Sequence, residues 1–433
     1  MSQTIKGDPL AHSPRTAEPG WVHQLNRARA SGPSMSAQRH ELAKHAHFQE
    51  TLAVHAGTYD DATTGAVGTP IYQNSTFILG ADQYKAVEEG YARDRFIYTR
   101  YGNPSQWAVQ EKIAALEAAE SALVFSSGMA AISAAVLAML DKGAHIVSSN
   151  ELYGGTYAFF HHELPSLGFS VTYVNPRDLE AIQAAIRPNT MLLYFEAMTN
   201  PLLKVIDLPA LVNIARKNHV RVMIDATFVT PIACNPLALG VDLVVHSCTK
   251  YLNGHSDLIA GAVVGSRKLL DQIWPRLLAY GGCLDPHACF LLERGLKTLA
   301  IRMRAHQEGA LAVAQFLSTH AKVSQVYYPG LETHPDYPLA KILLRNTGGM
   351  VAFAVKDDAS AVKLLDHLKL TRQATSLGGV ESLVSLPYNT SHAAFTADQR
   401  ERMGIPPGCV RLSVGIEHPQ DLIQDLSQAL AAI

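Results

Sequence analysis

The chain has 433 residues, enough for roughly two or three domains with sizeable buried cores. Its 36 basic and 38 acidic side chains leave a net charge of −2, which argues against binding to nucleic acid or a membrane surface by bulk electrostatics. The five cysteines form no CxxC motif. We therefore expect no disulfide framework and no metal site, and a reducing, cytoplasmic location.

Residues 1–47 differ in composition from the rest of the chain. They contain four prolines, scattered arginines and histidines, and no apolar run of signal-peptide length, so we predict a mobile extension. The run from His40 to His45 has one residue too many for an HExxH motif. We interpret it as a solvated polar stretch and not as a metal site.

Residues 48–105 have turns and aromatic residues without a clear period, and we expect them to form an N-terminal arm. In residues 106–300, apolar runs alternate with helix-like stretches, which predicts an α/β domain with a mostly parallel sheet and helices on both faces. The predicted strands are residues 122–126, 145–148, 170–174, 191–195, 221–225 and 243–247. The predicted helices include residues 129–140, 178–185 and 208–218.

After about residue 300 the pattern changes, and we expect residues 301–433 to form a smaller C-terminal α+β domain. Its predicted helices are residues 305–320, 360–367 and 420–433, and its predicted strands are residues 323–328, 349–355 and 410–414. An uncharged stretch at residues 122–140 is just long enough to span a membrane. Because Ser126, Ser127 and Gly128 interrupt it, we interpret it as a buried strand, a turn and a helix of a soluble protein.

Polar residues that follow apolar strands indicate where a ligand binds in a parallel sheet. Asp225 ends the strand VRVMID, and Lys250 follows the apolar strand at residues 243–247. A buried lysine has a lowered pKa and is a candidate nucleophile, although a lysine that reaches the surface is the commoner explanation for such a residue alone. The turn at Gly128 precedes a helix whose N–H groups can bind a phosphate, but it matches neither a P-loop nor a GxGxxG fingerprint.

Pyridoxal phosphate needs an amine for its aldehyde, a carboxylate for its ring nitrogen, donors for its phosphate and an aromatic face to stack on its ring. Lys250, Asp225 and Tyr153 can supply the first, second and last of these. The candidate phosphate donors are Gly128, Met129, Ser247 and Thr249. The combination predicts this cofactor, whereas each part alone is weak evidence.

Several segments match family motifs in order, from about Phe48 to the C-terminus. They include residues 98–104 (YTRYGNP), 127–132 (SGMAAI), 152–157 (LYGGTY), 244–251 (VVHSCTKY), 376–383 (SLGGVESL) and 411–417 (RLSVGIE). The sequence thereby resembles the Cys/Met-metabolism family of pyridoxal-phosphate enzymes. This family includes cystathionine γ-synthase, cystathionine γ-lyase, methionine γ-lyase and the O-acylhomoserine sulfhydrylases, and the resemblance implies the PLP-transferase type I fold.

The resemblance also implies a role for each matching residue. Lys250 would bind the cofactor aldehyde and shuttle protons, Asp225 would pair with the ring nitrogen, and Asn200 would lie beside the ring hydroxyl. Tyr153 would stack on the ring and protonate the leaving group. The residues implied to bind phosphate are again Gly128, Met129, Ser247 and Thr249.

Two further pairs of residues match the family. Arg411 would bind the substrate carboxylate, with help from Ser376. Tyr98 and Arg100 match residues that reach the phosphate of a neighbouring subunit. The resemblance therefore implies a homo-oligomer, at least a dimer and usually a tetramer.

The implied reaction is γ-replacement or γ-elimination on an O-acylhomoserine or a sulfur amino acid, which makes or breaks a C–S bond in the transsulfuration and methionine area. Two alternatives stay open: a β-eliminating C–S lyase of the cystathionine β-lyase type, and a catalytically silent PLP-binding regulatory protein. Departures from the family pattern at Gly155, Ala226, Thr375 and Tyr388 weaken assignment to any one member.

Overall fold

The computed structural model describes residues 48–433 except residues 60, 62, 90–92, 94 and 391–395. The extension predicted for residues 1–47, with its histidine-containing run, lies outside the described residues. Among the described residues, no helix is long and apolar enough to cross a membrane. The uncharged stretch at residues 122–140 is divided between a strand and a helix, as predicted.

In the described part of the chain, three helices precede the first strand: α1 (Gln49–His55), α2 (Ala81–Glu88) and α3 (Pro104–Leu116). Helix α3 begins after Asn103, whose side chain accepts a hydrogen bond from Ser105 N at 2.9 Å. The fully buried Lys112 of α3 donates to the carbonyls of Ala53 and Val54 at 3.0 and 3.1 Å. These contacts attach α1 to α3.

Seven strands form the larger sheet in the order β3-β2-β4-β5-β6-β7-β1 within the described residues. They are β1 (Ser121–Phe125), β2 (His145–Ser149), β3 (Ser170–Val174), β4 (Thr190–Glu196), β5 (Arg221–Asp225), β6 (Leu243–Ser247) and β7 (Gly261–Gly265). All neighbours are parallel except at β7, which runs antiparallel to β6 and β1. The prediction of a mostly parallel sheet is confirmed, and the structure contains one strand, β7, that was not predicted.

Alternate side chains of the strands enter two separate hydrophobic clusters, one on each face of the sheet. The helices of this region are α4 (Gly128–Met139), α5 (Gly154–Ala158), which continues through a π-helical turn (Phe159–Glu163) into α6 (Leu164–Ser166), then α7 (Leu179–Ala185), α8 (Leu208–Lys217), α9 (Thr230–Ala233), α10 (Arg267–Tyr280) and α11 (Pro286–Leu296). Met223 packs in the cluster with α4 and α10, whereas Val222 and Ile224 pack in the cluster with α3, α8 and α11. The sheet is therefore covered on both faces, as predicted.

A smaller sheet follows, with the strand order β10-β11-β12-β9-β8 and one parallel pair, β10 with β11. Its strands are β8 (Gln325–Tyr327), β9 (Met350–Ala354), β10 (Arg372–Gln373), β11 (Leu383–Ser385) and β12 (Cys409–Ser413). Its helices are α12 (Leu299–Thr319), α13 (Tyr337–Leu343), α14 (Asp358–His367), α15 (Ala397–Arg402) and α16 (Pro419–Ala431).

Helix α12 begins six residues before the predicted start at residue 305, so that prediction was wrong. Its first turns bury Leu299 and Met303 but also carry Arg302 and Arg304, whose charges interrupt the apolar period. Arg302 is nevertheless buried, because it donates to backbone carbonyls of the preceding segments. The boundary proposed between residues 300 and 301 falls in the first turn of α12.

Candidate active site

The ends of three neighbouring strands bring Glu196, Asp225 and Ser247 to one face of the larger sheet. Glu196 of β4 pairs in register with Asp225 of β5, and Asp225 pairs with Val245 of β6, two residues before Ser247. Because paired residues of parallel strands share a face, the three side chains point the same way. This is the face on which α4 packs, as the burial of Tyr194 and Val245 in its cluster shows.

Thr227 fixes the carboxylate of Asp225. Its backbone N–H donates to Asp225 Oδ1 at 2.9 Å, and its hydroxyl accepts from Ser247 N at 2.8 Å. Desolvation raises the pKa of Asp225, although the hydrogen bonds from Thr227 oppose that rise. A cation facing this carboxylate would relieve the cost of its burial, which suits a protonated ring nitrogen.

The N-terminus of α4 forms a cradle against β6 and β7. Helix α4 begins after Ser127, whose hydroxyl accepts from Ala130 N at 3.0 Å. A Cβ at Gly128 would lie 3.0 Å from Ser247 Cβ, and a Cβ at Gly261 would lie 2.2 Å from Ser127 O. Only glycine fits at Gly261, so the free N–H groups of this 12-residue helix open beside the hydroxyl of Ser247. That donor set fits a phosphate group.

Met129 is the second residue of α4, and Thr249 contacts Ala260, the residue before Gly261. Met129 Sδ lies 3.9 Å from Thr156 Oγ1 on α5. The hydroxyl of Thr249 accepts from Ala260 N at 3.0 Å and donates to Ala260 O at 3.2 Å. Both residues are therefore next in sequence or in contact to segments of the cradle, and the Thr249 hydroxyl is engaged with backbone.

Lys250 follows β6 on a tight turn in which its backbone N–H donates to Ser247 O at 3.2 Å. Its Nζ donates to the hydroxyl of Ser376 at 2.7 Å. Burial, helped by the positive charge of Arg411, lowers the pKa of Lys250 to about 8. The neutral amine, which can act as a nucleophile or a base, is therefore populated near neutral pH.

Arg411 of β12 joins the two sheets at this site. Its Nη1 donates to Asn200 Oδ1 at 3.3 Å, and its Nη2 donates to the carbonyl of Ser376 at 3.1 Å. Burial lowers the pKa of Arg411 to about 10, which still leaves it cationic at neutral pH. Within the described residues its hydrogen bonds go to uncharged acceptors, so the cation is available to bind an anionic group of a substrate.

Tyr153 precedes α5 and has a side chain that is 51% exposed. Its backbone N–H donates to Glu196 Oε1 at 2.6 Å. A Cβ at Gly155 would lie 2.6 Å from Tyr153 Cε1, so the ring lies directly against the backbone of Gly155. The phenol is thus held at the same sheet edge as Asp225 but keeps an open face.

Tyr98 and Arg100 make their described contacts away from this site. Arg100 Nη1 donates to Leu278 O at 2.9 Å, and its guanidinium carbon lies 5.8 Å from the centroid of the Tyr98 ring. The Tyr98 side chain is 41% exposed. Within one chain, the structure therefore does not group these two residues with Lys250.

Sequence reasoning missed three residues that build the site: Glu196, Thr227 and Gly261. Glu196 ends an apolar strand just as Asp225 does, so the same signal could have found it. Thr227 and Gly261 act through backbone contacts, which leave no signal in the sequence. His246 of β6 is fully buried, and its Nε2 lies 2.7 Å from Glu117 Oε1.

A lysine of lowered pKa, a buried carboxylate fixed at the next strand end and a helix N-terminus opened by glycine together fit pyridoxal phosphate. The fold and the site define a PLP-dependent enzyme of fold type I. Residues 50–431 match the family described as Cys/Met metabolism PLP-dependent enzyme, and the chain belongs to that family.

Relatives with known names agree with this assignment. The L-methionine gamma-lyase of Fusobacterium nucleatum subsp. nucleatum is 45% identical over 394 residues, which cover 88% of this chain and 98% of that protein. The cystathionine beta-lyase of Lactococcus lactis subsp. cremoris is 41% identical over 383 residues, which cover 88% of this chain and 98% of that protein. The crystal structure of cystathionine gamma-lyase from Lactobacillus plantarum complexed with L-serine matches with a TM-score of 0.83 and 38% identity, over 89% of this chain and 99% of that one.

The protein is therefore a PLP-dependent enzyme of cysteine and methionine metabolism. The predicted family, fold type, enzyme class and cofactor are confirmed. The alternative of a catalytically silent regulatory protein has no support from these relatives, which are named as enzymes.

Proposed function

We propose that the protein eliminates the γ-substituent of a sulfur amino acid such as L-methionine or cystathionine, or of an O-acylhomoserine. The observation that carries this proposal is the position of Ser376 between Lys250 and Arg411. Its hydroxyl contacts the lysine amine and its carbonyl contacts the arginine. An amino acid whose carboxylate binds Arg411 would therefore present its Cα to Lys250.

Each residue has a distinct task in this reaction. Lys250 would hold the aldehyde of the cofactor, and its free Nζ would remove the Cα proton of the substrate and deliver a proton farther along the substrate. Asp225 accepts a hydrogen bond from the ring nitrogen and keeps it protonated. Bound pyridoxal phosphate would supply an electron-withdrawing ring, which makes the substrate protons on Cα and Cβ more acidic. Arg411 holds the carboxylate throughout.

The other residues complete the site. Tyr153 stacks on the cofactor ring, and its hydroxyl donates a proton to the sulfur or oxygen that leaves Cγ. Asn200 would lie beside the ring hydroxyl. Gly128, Met129, Ser247 and Thr249 would bind the phosphate. With L-methionine and one water molecule, the balanced products are 2-oxobutyrate, ammonia and methanethiol; a thiol that adds at Cγ would give replacement.

Product analysis tests this proposal. The purified holoenzyme is incubated separately with L-methionine, cystathionine, O-acetylhomoserine and O-succinylhomoserine, with and without an added thiol. We expect 2-oxobutyrate and ammonia in equal amounts from at least one of these substrates, and none from a Lys250→Ala variant. No turnover of any γ-substituted amino acid would refute the proposal.

A second candidate is β-elimination, because the 41% identical Lactococcus relative is named a cystathionine beta-lyase. The same lysine, tyrosine and arginine permit it, since loss of a β-substituent needs only the removal of the Cα proton. With cystathionine as substrate the two reactions give different 2-oxo acids. Pyruvate in place of 2-oxobutyrate would favour β-elimination.

We also propose a homo-oligomer in which residues 48–105 form an arm that reaches a neighbouring subunit. The support is the exposure of large apolar side chains on this segment, which is typical of an interface. Among the described residues of the segment, the most exposed are Val67, Ile78 and Phe48, at 92%, 77% and 73%. In this arrangement Tyr98 and Arg100 bind the cofactor phosphate of the partner, residues 106–300 form the cofactor-binding domain and residues 301–433 the smaller domain.

Mixing two inactive variants tests the arm. Lys250→Ala and Arg100→Ala proteins are unfolded and refolded together. If Arg100 serves the partner's site, each mixed dimer regains one intact site, and the mixture recovers about a quarter of wild-type activity at equal ratios. Light scattering on the same samples gives the oligomeric state. A monomer, or no recovery from the mixture, would contradict the proposal.

A cytoplasmic location is proposed as well. It is supported by the free thiols of all five cysteines, four of them buried. Fractionation of cells that express a tagged chain tests it, with the tag expected in the cytosolic fraction.

A further inference from the structure

Glu196 is a buried acid that no step of the proposed reaction uses. Its side chain is at the end of β4, in register with Asp225, and the residue is only 6% exposed. Burial, together with the nearby Asp225 carboxylate, raises the pKa of Glu196 well above its usual range. A buried acid beside a second, partly buried acid is costly, so the arrangement needs a reason beyond packing.

The reason is visible at Tyr153, the residue whose backbone N–H donates to Glu196 Oε1 at 2.6 Å. Tyr153 lies just before the first turn of α5, and its own side chain makes no capping hydrogen bond there. Its carbonyl accepts from Tyr157 N at 2.9 Å, inside the helix. Within the described part of the chain, the hydrogen bond to Glu196 is therefore the one that ties Tyr153 to the sheet.

The ring of Tyr153 depends on this attachment. It is half exposed, and on one side it rests on Gly155, where any Cβ would come within 2.6 Å of the ring. The described hydrogen bonds of Tyr153 are made by its backbone and not by its phenol. A shift of that backbone would therefore move the ring.

We propose that Glu196 is a positioning residue, which fixes Tyr153 over the cofactor ring by accepting the Tyr153 backbone N–H from the strand that neighbours Asp225. The carboxyl oxygen must be at the right distance for this task, whereas its negative charge is dispensable. Glu196 of β4 thereby links Tyr153, which stacks on the ring, to the neighbouring strand β5, which carries Asp225, the partner of the ring nitrogen. The inference rests on the stacking role of Tyr153 proposed above.

Two variants separate position from charge. Glu196→Gln keeps an accepting oxygen at the same distance and removes the ionisable carboxyl group. Glu196→Asp keeps an ionisable carboxyl group but is one methylene shorter, so its oxygens fall short of Tyr153 N. The holoenzymes are compared by visible circular dichroism, which reports the surroundings of the bound cofactor ring, and by the dissociation constant of pyridoxal phosphate measured after dilution.

We expect Glu196→Gln to match wild type within about twofold in both readouts. We expect Glu196→Asp to weaken cofactor binding about tenfold, the loss of one strong buried hydrogen bond, and to reduce the visible dichroism. The matched control is Asp425→Asn, which neutralises a buried carboxylate in the smaller domain that accepts the N–H groups of Lys369, Leu370 and Thr371. It should leave the dichroism and the dissociation constant unchanged.

The opposite ranking, with Glu196→Asp like wild type and Glu196→Gln impaired, would overturn the proposal and assign the effect to charge. Equal, wild-type behaviour of both variants would overturn it as well. Tyr153→Ala separates the stacking role of Tyr153 from the positioning role of Glu196. If Tyr153→Ala leaves the dichroism and affinity unchanged, the stacking role of Tyr153 fails; if it changes them and Glu196→Asp does not, only the role of Glu196 fails.

Discussion

Ser376 contacts Lys250 and Arg411 through two different groups. Its hydroxyl accepts from Lys250 Nζ at 2.7 Å, and its backbone carbonyl accepts from Arg411 Nη2 at 3.1 Å. In making both contacts, Ser376 adopts a φ of 80°, which lies in the left-handed region that residues other than glycine rarely adopt. One strained residue of the smaller domain thus sets the distance between the base and the carboxylate-binding cation.

Substitution of Ser376 should separate its hydroxyl from its backbone. Ser376→Ala removes the acceptor of the Lys250 amine but keeps the carbonyl that contacts Arg411. We expect kcat to fall about tenfold while KM stays within about twofold, because one hydrogen bond to the base is lost and substrate binding is retained. Steady-state kinetics on the best γ-substituted substrate checks this.

Ser376→Gly provides the comparison. It loses the same hydroxyl, so its kcat should match that of Ser376→Ala. Glycine adopts a positive φ without strain, and we expect it to be about 1 kcal/mol more stable than the alanine variant in urea unfolding. Equal stability of the two variants would show that the backbone at this position carries no strain.

Arg411 and Arg302 are both buried but have different roles. Arg302 donates to the carbonyls of Tyr251, Leu252 and Gly295 and is a structural residue. Arg411→Met should raise KM about a hundredfold, because the substrate carboxylate loses its cation. Arg302→Met should lower the melting temperature and leave KM of the folded enzyme nearly unchanged. A KM that rises equally in both variants would contradict the role of Arg411.

Gly261 permits the close approach on which the phosphate cradle depends. A Cβ there would lie 2.2 Å from Ser127 O and 2.8 Å from Gly128 Cα, and both are backbone atoms that cannot move aside. Gly261→Ala should therefore destabilise the protein by about 2 kcal/mol or more and release cofactor. Gly68→Ala, where a Cβ meets nothing within 4 Å, is the control and should change neither. Cofactor retention after gel filtration checks both variants.

Much of the larger sheet could be predicted from the sequence because its strands are short apolar runs buried on both faces. The predicted ends of β5 and β6 match the structure, and these ends placed Asp225 and Lys250 correctly at one edge. Strand β7 was missed because its five residues, GAVVG, begin and end with glycine and resemble a turn. Its antiparallel course also departs from the alternation that predicted its neighbours.

The details of the site lay beyond sequence reasoning for a different reason. The φ of Ser376 and the contacts of Thr227 and Gly261 depend on which backbone segments meet, and residue identity does not encode that. A glycine in the sequence can indicate a left-handed backbone conformation. Ser376 adopts that conformation although serine gives no such indication.

The lowered pKa of Lys250 predicts how stability changes with pH in the cofactor-free protein. Burial and Arg411 move this pKa from 10.5 to about 8 in the folded chain. Between those two pH values the unfolded chain binds more protons than the folded chain, so the free energy of unfolding rises with pH across this window. Lys250→Met removes the titration, whereas Lys112, whose pKa burial also lowers to about 8, remains in both proteins.

We therefore expect the free energy of unfolding of wild type to rise by about 2 kcal/mol relative to that of Lys250→Met between pH 8 and pH 10.5. Urea unfolding at a series of pH values measures this difference. Arg411→Gln should raise the lower limit of this pH window, because without the neighbouring cation the pKa of Lys250 moves back up towards its ordinary value. A constant difference between wild type and Lys250→Met at all pH values would mean that the lysine is not desolvated when the cofactor is absent. The pKa of Lys250 would then have to be lowered by the bound cofactor, and not by burial within the fold, to give the neutral amine that the reaction requires.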